Sequence, residues 1–179
     1  LTHTLPVSKN KIYLSKILTA IITLLTSFIV IVACLAISSL DNDTWIILKE
    51  SLEQSAIYFD SSVFGLIFVM IITIFFEFLF MMMSGILGII IGHKSNNLKL
   101  VKSIIIGFFT YIMLSAISVV ILYIAGLLNP DIMLVFNSMD ISSNTLKDMM
   151  IVGIIVYAVY NVIIYFAGNR LLNKGVNVD

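Results

Sequence analysis

Charge, cysteine and histidine are all scarce in this sequence, and each shortage removes a class of function. Only 11% of the 179 residues are charged, against 60% hydrophobic, and the mean hydropathy is +1.13. That composition lies outside the range of soluble globular domains and marks an integral membrane protein. Cys34 stands alone inside an apolar run, so no disulfide framework exists and a packing role is its default. His3 and His93 are the two histidines, and no paired His or Cys falls at ligand spacing. The phosphate-binding pattern G-x-x-x-x-G-K-[ST] is missing, as are H-E-x-x-H and G-x-S-x-G. We therefore expect a chain that is not an enzyme, needs no cofactor and binds no nucleic acid; any ATP hydrolysis must come from a partner. There is no internal repeat, no Pro- or Ser-rich linker and no low-complexity tail, which predicts one membrane domain over residues 1–179.

What the sequence has in quantity is long apolar runs. Crossing a hydrocarbon core of roughly 30 Å takes about 20 helical residues. Four runs meet that length, near Leu18–Ile37, Val63–Ile91, Ile104–Leu128 and Met149–Ala167. None alternates in polarity as β-barrel strands do. The predicted fold class is an all-α, polytopic helical membrane protein with four transmembrane helices.

A formal net charge of zero hides a strong segregation. Lys9, Lys11 and Lys16 precede the first run, Lys94, Lys99 and Lys102 lie between the second and third, and Arg170 and Lys174 follow the fourth. The alternate connections hold Asp41, Asp43, Glu50, Glu53, Asp60, Asp131, Asp140 and Asp148, with only Lys49 and Lys147 for balance. By the positive-inside rule both termini and the 92–103 connection face the cytoplasm. Heavy Ile, Asn and Lys usage fits an AT-rich bacterial gene, which places the expected home in a bacterial plasma membrane.

The opening stretch, "LTHTLPVSKNKIYLSKIL", lacks the compact apolar centre and small-residue cleavage site of a secretory signal. Pro6 favours an extended Leu5, and Ser8 suits the N-cap of a following helix. Tyr13, Leu14, Ile17 and Leu18 then share one stripe, with Lys9 and Lys16 on another. This predicts an amphipathic cytoplasmic helix running into the first span. A basic anchor with lysines reaching toward anionic lipid is the simplest role for it. The chain opens on Leu1 rather than Met, so we expect further sequence upstream.

Glu77, in "TIFFEFLFMMMSGILGIIIG", is the one acid inside an apolar core. A carboxylate at mid-membrane costs roughly 2.5–3.5 kcal/mol on insertion scales, so it should not face lipid. Thr73, Glu77, Met81, Ser84, Gly88 and Gly92 fall on one helical face, and Gly88 and Gly92 form G-x-x-x-G, which reads as a helix-packing face. Glu77 is open to two readings, a substrate path or proton-linked switch, or a protonated carboxyl hydrogen-bonded between helices. No Lys or Arg inside any apolar core offers it an ion pair. In the last run Gly153, Tyr157, Asn161 and Tyr165 recur every four residues, for helix packing or for lining a pathway. Thr19, Thr23 and Thr26 in the first run can bond to their own helix. Between the first two runs, Asp41 or Asp43 can cap an interfacial helix with Trp45, Leu48, Leu52 and Phe59 on one stripe. "PDIMLVF" is too short to cross and suits a dip into the interface or a re-entrant turn.

"TLPVSKNKIYLSKIL" resembles the loop that follows the second transmembrane helix of ABC-2 type transporter permeases, and "YFAGNRLLNKGVNVD" is similar to the way many of them finish. The resemblance implies that the four runs are helices three to six of a six-helix subunit, with two helices before Leu1. It implies that Leu5, Pro6, Ser8, Lys9 and Lys16 form a coupling segment docking on a separate ATP-binding subunit. It also implies a second permease subunit, identical or different, and tilts toward export, while the thin polar inventory of the spans favours an amphipathic or lipid-like cargo. The rival reading is a small ATP-independent membrane protein, either a proton-coupled carrier using Glu77 or an immunity or interaction protein.

Overall fold

The structure of the protein, a computed structural model, describes residues 8–38, 41–95, 97–137 and 142–174. Leu5, Pro6, Asp140 and the side chain of Lys9 lie outside the described residues, as does the chain after Lys174. Six helices follow in order: α1 (Lys9–Ser38), α2 (Asn42–Tyr58), α3 (Val63–Gly92), α4 (Lys99–Leu128), α5 (Pro130–Asn137) and α6 (Ser143–Asn173). Among the described residues there is no strand. Helices α1, α3, α4 and α6 are long and apolar enough to cross a membrane. The chain is a polytopic helical membrane protein.

Each long helix runs 30 or 31 residues, so at about 1.5 Å per residue it is roughly 45 Å long and overruns the hydrocarbon core. The helices accordingly start before the expected spans: α1 at Lys9 rather than near Leu18, α4 at Lys99 rather than Ile104, α6 at Ser143 rather than Met149. The reason is that a backbone already hydrogen-bonded in the core gains nothing by unwinding at the interface, so polar residues are carried as further helical turns. The amphipathic opening stretch and the first span are thus a single unbroken helix.

The connections are short and capped by their own side chains. At the end of α2, Asp60 takes a left-handed φ of 43°. Its N–H donates to Ile57 O at 3.0 Å and that of Ser61 to Ala56 O at 3.0 Å, the paired bonds of a Schellman motif with Asp in the usual glycine place. Ser62 then caps α3, its Oγ accepting from the Gly65 N–H at 3.0 Å. Asn129 does the same for α5 through Asp131 N–H at 3.1 Å, with Pro130 in the first helical position, where the missing N–H costs nothing. Ser142 caps α6 through Thr145 N–H at 3.2 Å.

The described residues cluster into two compact units, and every long helix contributes to both. The first gathers those within Leu1–Leu24, Phe78–Ala116 and Tyr157–Asp179; the second, those within Leu25–Glu77 and Ile117–Val156. In the second unit, α5 packs Ile132 inward, and the buried Thr145 Oγ1 donates to Asp131 O at 3.2 Å. Asn129 Nδ2 donates to Asp148 Oδ2 at 3.0 Å, and Lys147 Nζ to the Asp60 carbonyl at 3.3 Å. The predicted dip at "PDIMLVF" is therefore a short helix tied at its first turn to α6. In α2, Asp41 occupies the N-cap without a side-chain bond to the backbone, Trp45 and Leu48 are exposed, and Ala56 is the buried residue.

In the first unit α3 and α4 approach closely. A Cβ built on Gly88 would lie 2.5 Å from Gly107 N and from Ser103 O, and one on Gly92 would strike the Ser103 backbone at 2.6 Å. Both are buried, and only glycine permits the approach. Gly85, one turn earlier, would meet nothing within 4 Å. We predict that Gly88→Ala destabilises the folded chain by about 1–3 kcal/mol, while Gly85→Ala is neutral or stabilising by up to about 1 kcal/mol. Thermal unfolding of the purified protein in detergent distinguishes them; equal effects would mean that the α3–α4 contact is looser than described.

Candidate functional site

The first unit concentrates the buried polar and aromatic groups. Phe80 of α3 is fully buried and meets three tyrosines: Tyr111 of α4 at 5.4 Å between ring centroids, Tyr157 of α6 at 5.4 Å and Tyr160 of α6 at 5.5 Å. Offset aromatic contacts at these distances contribute roughly 0.5–1.5 kcal/mol each beyond their burial. Ser84, one turn after Phe80, is fully buried, and Asn161 is buried with its Nδ2 donating to Tyr157 O at 2.9 Å. At the start of α1, Tyr13 is buried to 1% exposure and stacks on Tyr165 of α6 at 5.7 Å. Its ring lies on Gly168, where any Cβ would strike the phenol. Tyr13, Ile17, Ala20 and Leu24 form the buried edge of α1, and Val156, Tyr160, Ile164 and Gly168 that of α6.

The hydroxyls of Tyr13, Ser84 and Tyr160 are buried with no hydrogen-bond partner among the described residues. An unmet buried donor costs about 1–3 kcal/mol. Three in one unit make it a place where a hydroxyl-bonding group is well received and where packing alternatives compete on even terms. Around this interior the charge is of one sign. Lys11, Lys16, Lys94, Lys102, Arg170 and Lys174 are exposed, and no acid falls among the unit's described residues. Among all described residues, no three of His, Cys, Asp and Glu gather where they could hold a metal ion. Near the α3–α4 connection, Lys102 Nζ donates to Ser95 Oγ.

Several predicted positions land here and several do not. Ser8 takes the N-cap position of α1, its carbonyl accepting from Lys11 N–H at 2.9 Å and Ile12 N–H at 3.3 Å, and Lys16 is exposed on the same helix. Leu14 and Leu18, expected on the apolar stripe with Tyr13 and Ile17, are exposed at 45% and 49%, so the packed face is narrower than the stripe. Thr73 is half-buried, its hydroxyl spent on Val69 O at 2.8 Å, and Thr19 and Thr23 likewise bond back within α1. The predicted face on α3 divides: Ser84, Gly88 and Gly92 are buried, whereas Glu77 and Met81 are exposed. Glu77, expected to turn from lipid, therefore stands on this chain's surface and makes no hydrogen bond or ion pair with the described residues. On α6, Tyr157 and Asn161 join the cluster, whereas a Cβ built on Gly153 would meet nothing within 4 Å. The residues that sequence reading passed over are Phe80, Tyr111, Tyr160 and Gly168. A four-residue spacing through Val156, Tyr160, Ile164 and Gly168 was the available signal, one position from the line chosen.

No protein family, curated protein or solved structure matches this chain.

The Tyr13 latch gives a sharp prediction. Because the phenol oxygen has no partner while the ring is packed, Tyr13→Phe should leave stability within about 0.5 kcal/mol and Tyr13→Ala should cost about 3 kcal/mol. Hydrogen exchange over residues 9–20 should accelerate in Tyr13→Ala alone. Equal acceleration in Tyr13→Phe would show that the hydroxyl, rather than the ring, holds α1.

Proposed function

We propose that this chain is a membrane-spanning permease subunit of an ATP-binding cassette transporter of the ABC-2 type, an exporter energised by a separate ATP-binding subunit. The observation that carries the reading is mechanical. From Lys9 onward the basic opening segment is the first part of α1 itself, and Tyr13 fixes that part to α6 through Tyr165 and Gly168. A push on the segment from a docked partner would reach two long helices without a flexible joint. The exposed cations of the first unit support a cytoplasmic position for that end of α1, for the 93–98 connection and for the end of α6, in a bacterial plasma membrane. On this reading Ser8, Lys9 and Lys16, with Leu5 and Pro6, form the docking segment. A second permease subunit completes the pathway, and the hydroxyl- and aromatic-lined interior favours an amphipathic cargo over a charged one. Movement follows the general hinge or shear pattern of rigid elements.

The exposed Glu77 favours a second reading, an ATP-independent, proton-coupled carrier. The two part on one experiment. The gene product is co-expressed with a neighbouring ATP-binding protein and purified, as wild type and as a Leu5→Asp, Lys9→Glu, Lys16→Glu variant. Association in the wild type that falls at least tenfold in the variant supports the permease. If no ATPase associates and Glu77→Gln abolishes transport, the carrier reading replaces it.

A further inference from the structure

Beside the close contact at Gly88 and Gly92, α3 and α4 leave an open groove of about 420 Å³ between them. Its floor is bare backbone. A Cβ built on Gly107 would lie 3.3 Å from Gly85 Cα, so the two chains touch there, yet one built on Gly85 would meet nothing within 4 Å. Exposed Ile89 walls the groove on α3 and exposed Ile104 and Phe108 wall it on α4. Along α4 it runs from Leu100 to Tyr111, about 16 Å at roughly 1.5 Å per residue, close to the depth of one leaflet of a roughly 30 Å core. Its shallow end lies at the level of the α3–α4 connection, where Lys94, Lys99 and Lys102 gather and no acid falls among the unit's described residues. His93 Nδ1 donates to Ile89 O at 2.9 Å, which holds the imidazole one turn beyond the Ile89 wall. The bond from Lys102 to Ser95 keeps that ammonium at the connection.

We propose that this groove holds one acyl chain of an anionic phospholipid, whose headgroup phosphate lies among His93, Lys94, Lys99 and Lys102. The occupant must be apolar over the depth of one leaflet and negative at the end where the cations stand, and an anionic lipid is both in one molecule. Basic pockets between membrane helices bind anionic headgroups in this way, and lysine stems reach along apolar surface to bring their charge to the phosphate. A zwitterionic headgroup carries a cation of its own into a region already positive, and is disfavoured there. A partner helix could cover the groove but would leave the cations unmatched unless it also supplied acids at that depth. The lipid is a resident of the α3–α4 pair rather than a cargo, so the inference goes beyond the transport reading and needs neither an ATPase nor transport.

The test is native mass spectrometry of the purified protein in neutral detergent, mixed with equal amounts of phosphatidylglycerol and phosphatidylcholine of the same acyl composition. The wild type should retain phosphatidylglycerol about tenfold over phosphatidylcholine. Gly85→Leu puts a side chain into the open space of the groove and should lower the retained fraction of both lipids about tenfold, while Gly85→Ala, which leaves most of that space free, should keep it. The Lys94→Gln, Lys99→Gln, Lys102→Gln variant should bring the two lipids to parity. Removing three charges elsewhere in the same unit, as Lys11→Gln, Arg170→Gln, Lys174→Gln, should leave the preference intact. Helical content and the thermal midpoint check that each variant remains folded. Equal retention of the two lipids by the wild type, unchanged retention in Gly85→Leu, or the same loss of preference in both triple variants would each overturn the proposal. So would a wild-type dimer that Gly85→Leu dissolves, which would put a second copy in the groove. Loss of ATPase co-purification alone would leave it standing.

Discussion

The approach of α3 to α4 at Gly88 and Gly92 sets the register from which the first unit follows. With backbones that close, the two helices cannot slide: Ser103 and Gly107 meet the glycines, and two turns away Phe80 is carried onto Tyr111. Phe80 is then the fixed object against which α6 lays Tyr157 and Tyr160. In lipid, association gains little from the hydrophobic effect, so shape of this kind has to supply the specificity that a soluble core draws from burial. The long helices bury little otherwise, between 6% and 22% of their most apolar stretches.

How legible this was depended on the physical period of each signal. Membrane crossing is written in run length and charge, both visible without any contact, and the four spans fell where composition put them. The glycine pair on α3 was readable because close approach demands one residue type at one spacing. The tyrosine cluster was not, since aromatic residues on an apolar helix face lipid, a partner or a core with equal ease, and only the neighbouring helix decides. On α6 the chosen line and the buried line differ by one residue, a 100° turn that apolar residues on both sides leave undetermined. Glu77 is legible in a different way: the sequence states the cost of a carboxyl at mid-membrane but not which group meets it. The helix ends ran past expectation because hydropathy marks where lipid begins, while the backbone marks where helix stops.

The two units divide the polar inventory between them. One carries cations on its surface and unspent hydroxyls within; the other ties its short helix and turns with carboxylates, amides and a lysine. The second is stapled by bonds with defined partners, whereas the first is held by ring faces and close backbone contact, which tolerate small rotations better than directed bonds do.

The make-up of the first unit also governs the order in which the molecule can be completed. Its residues come from three separate stretches of the sequence, and two of the tyrosines that close on Phe80, with the glycine that receives Tyr13, belong to α6. During synthesis at roughly 5–20 residues per second, α1, α3 and α4 must wait in the membrane for several seconds before that last helix arrives. Throughout that interval Tyr13 lacks Tyr165 and Gly168, and Phe80 has only Tyr111 of its three tyrosines. Until residues 157–173 have been made, the first unit lacks the wall of α6 against which Tyr13 and Phe80 pack.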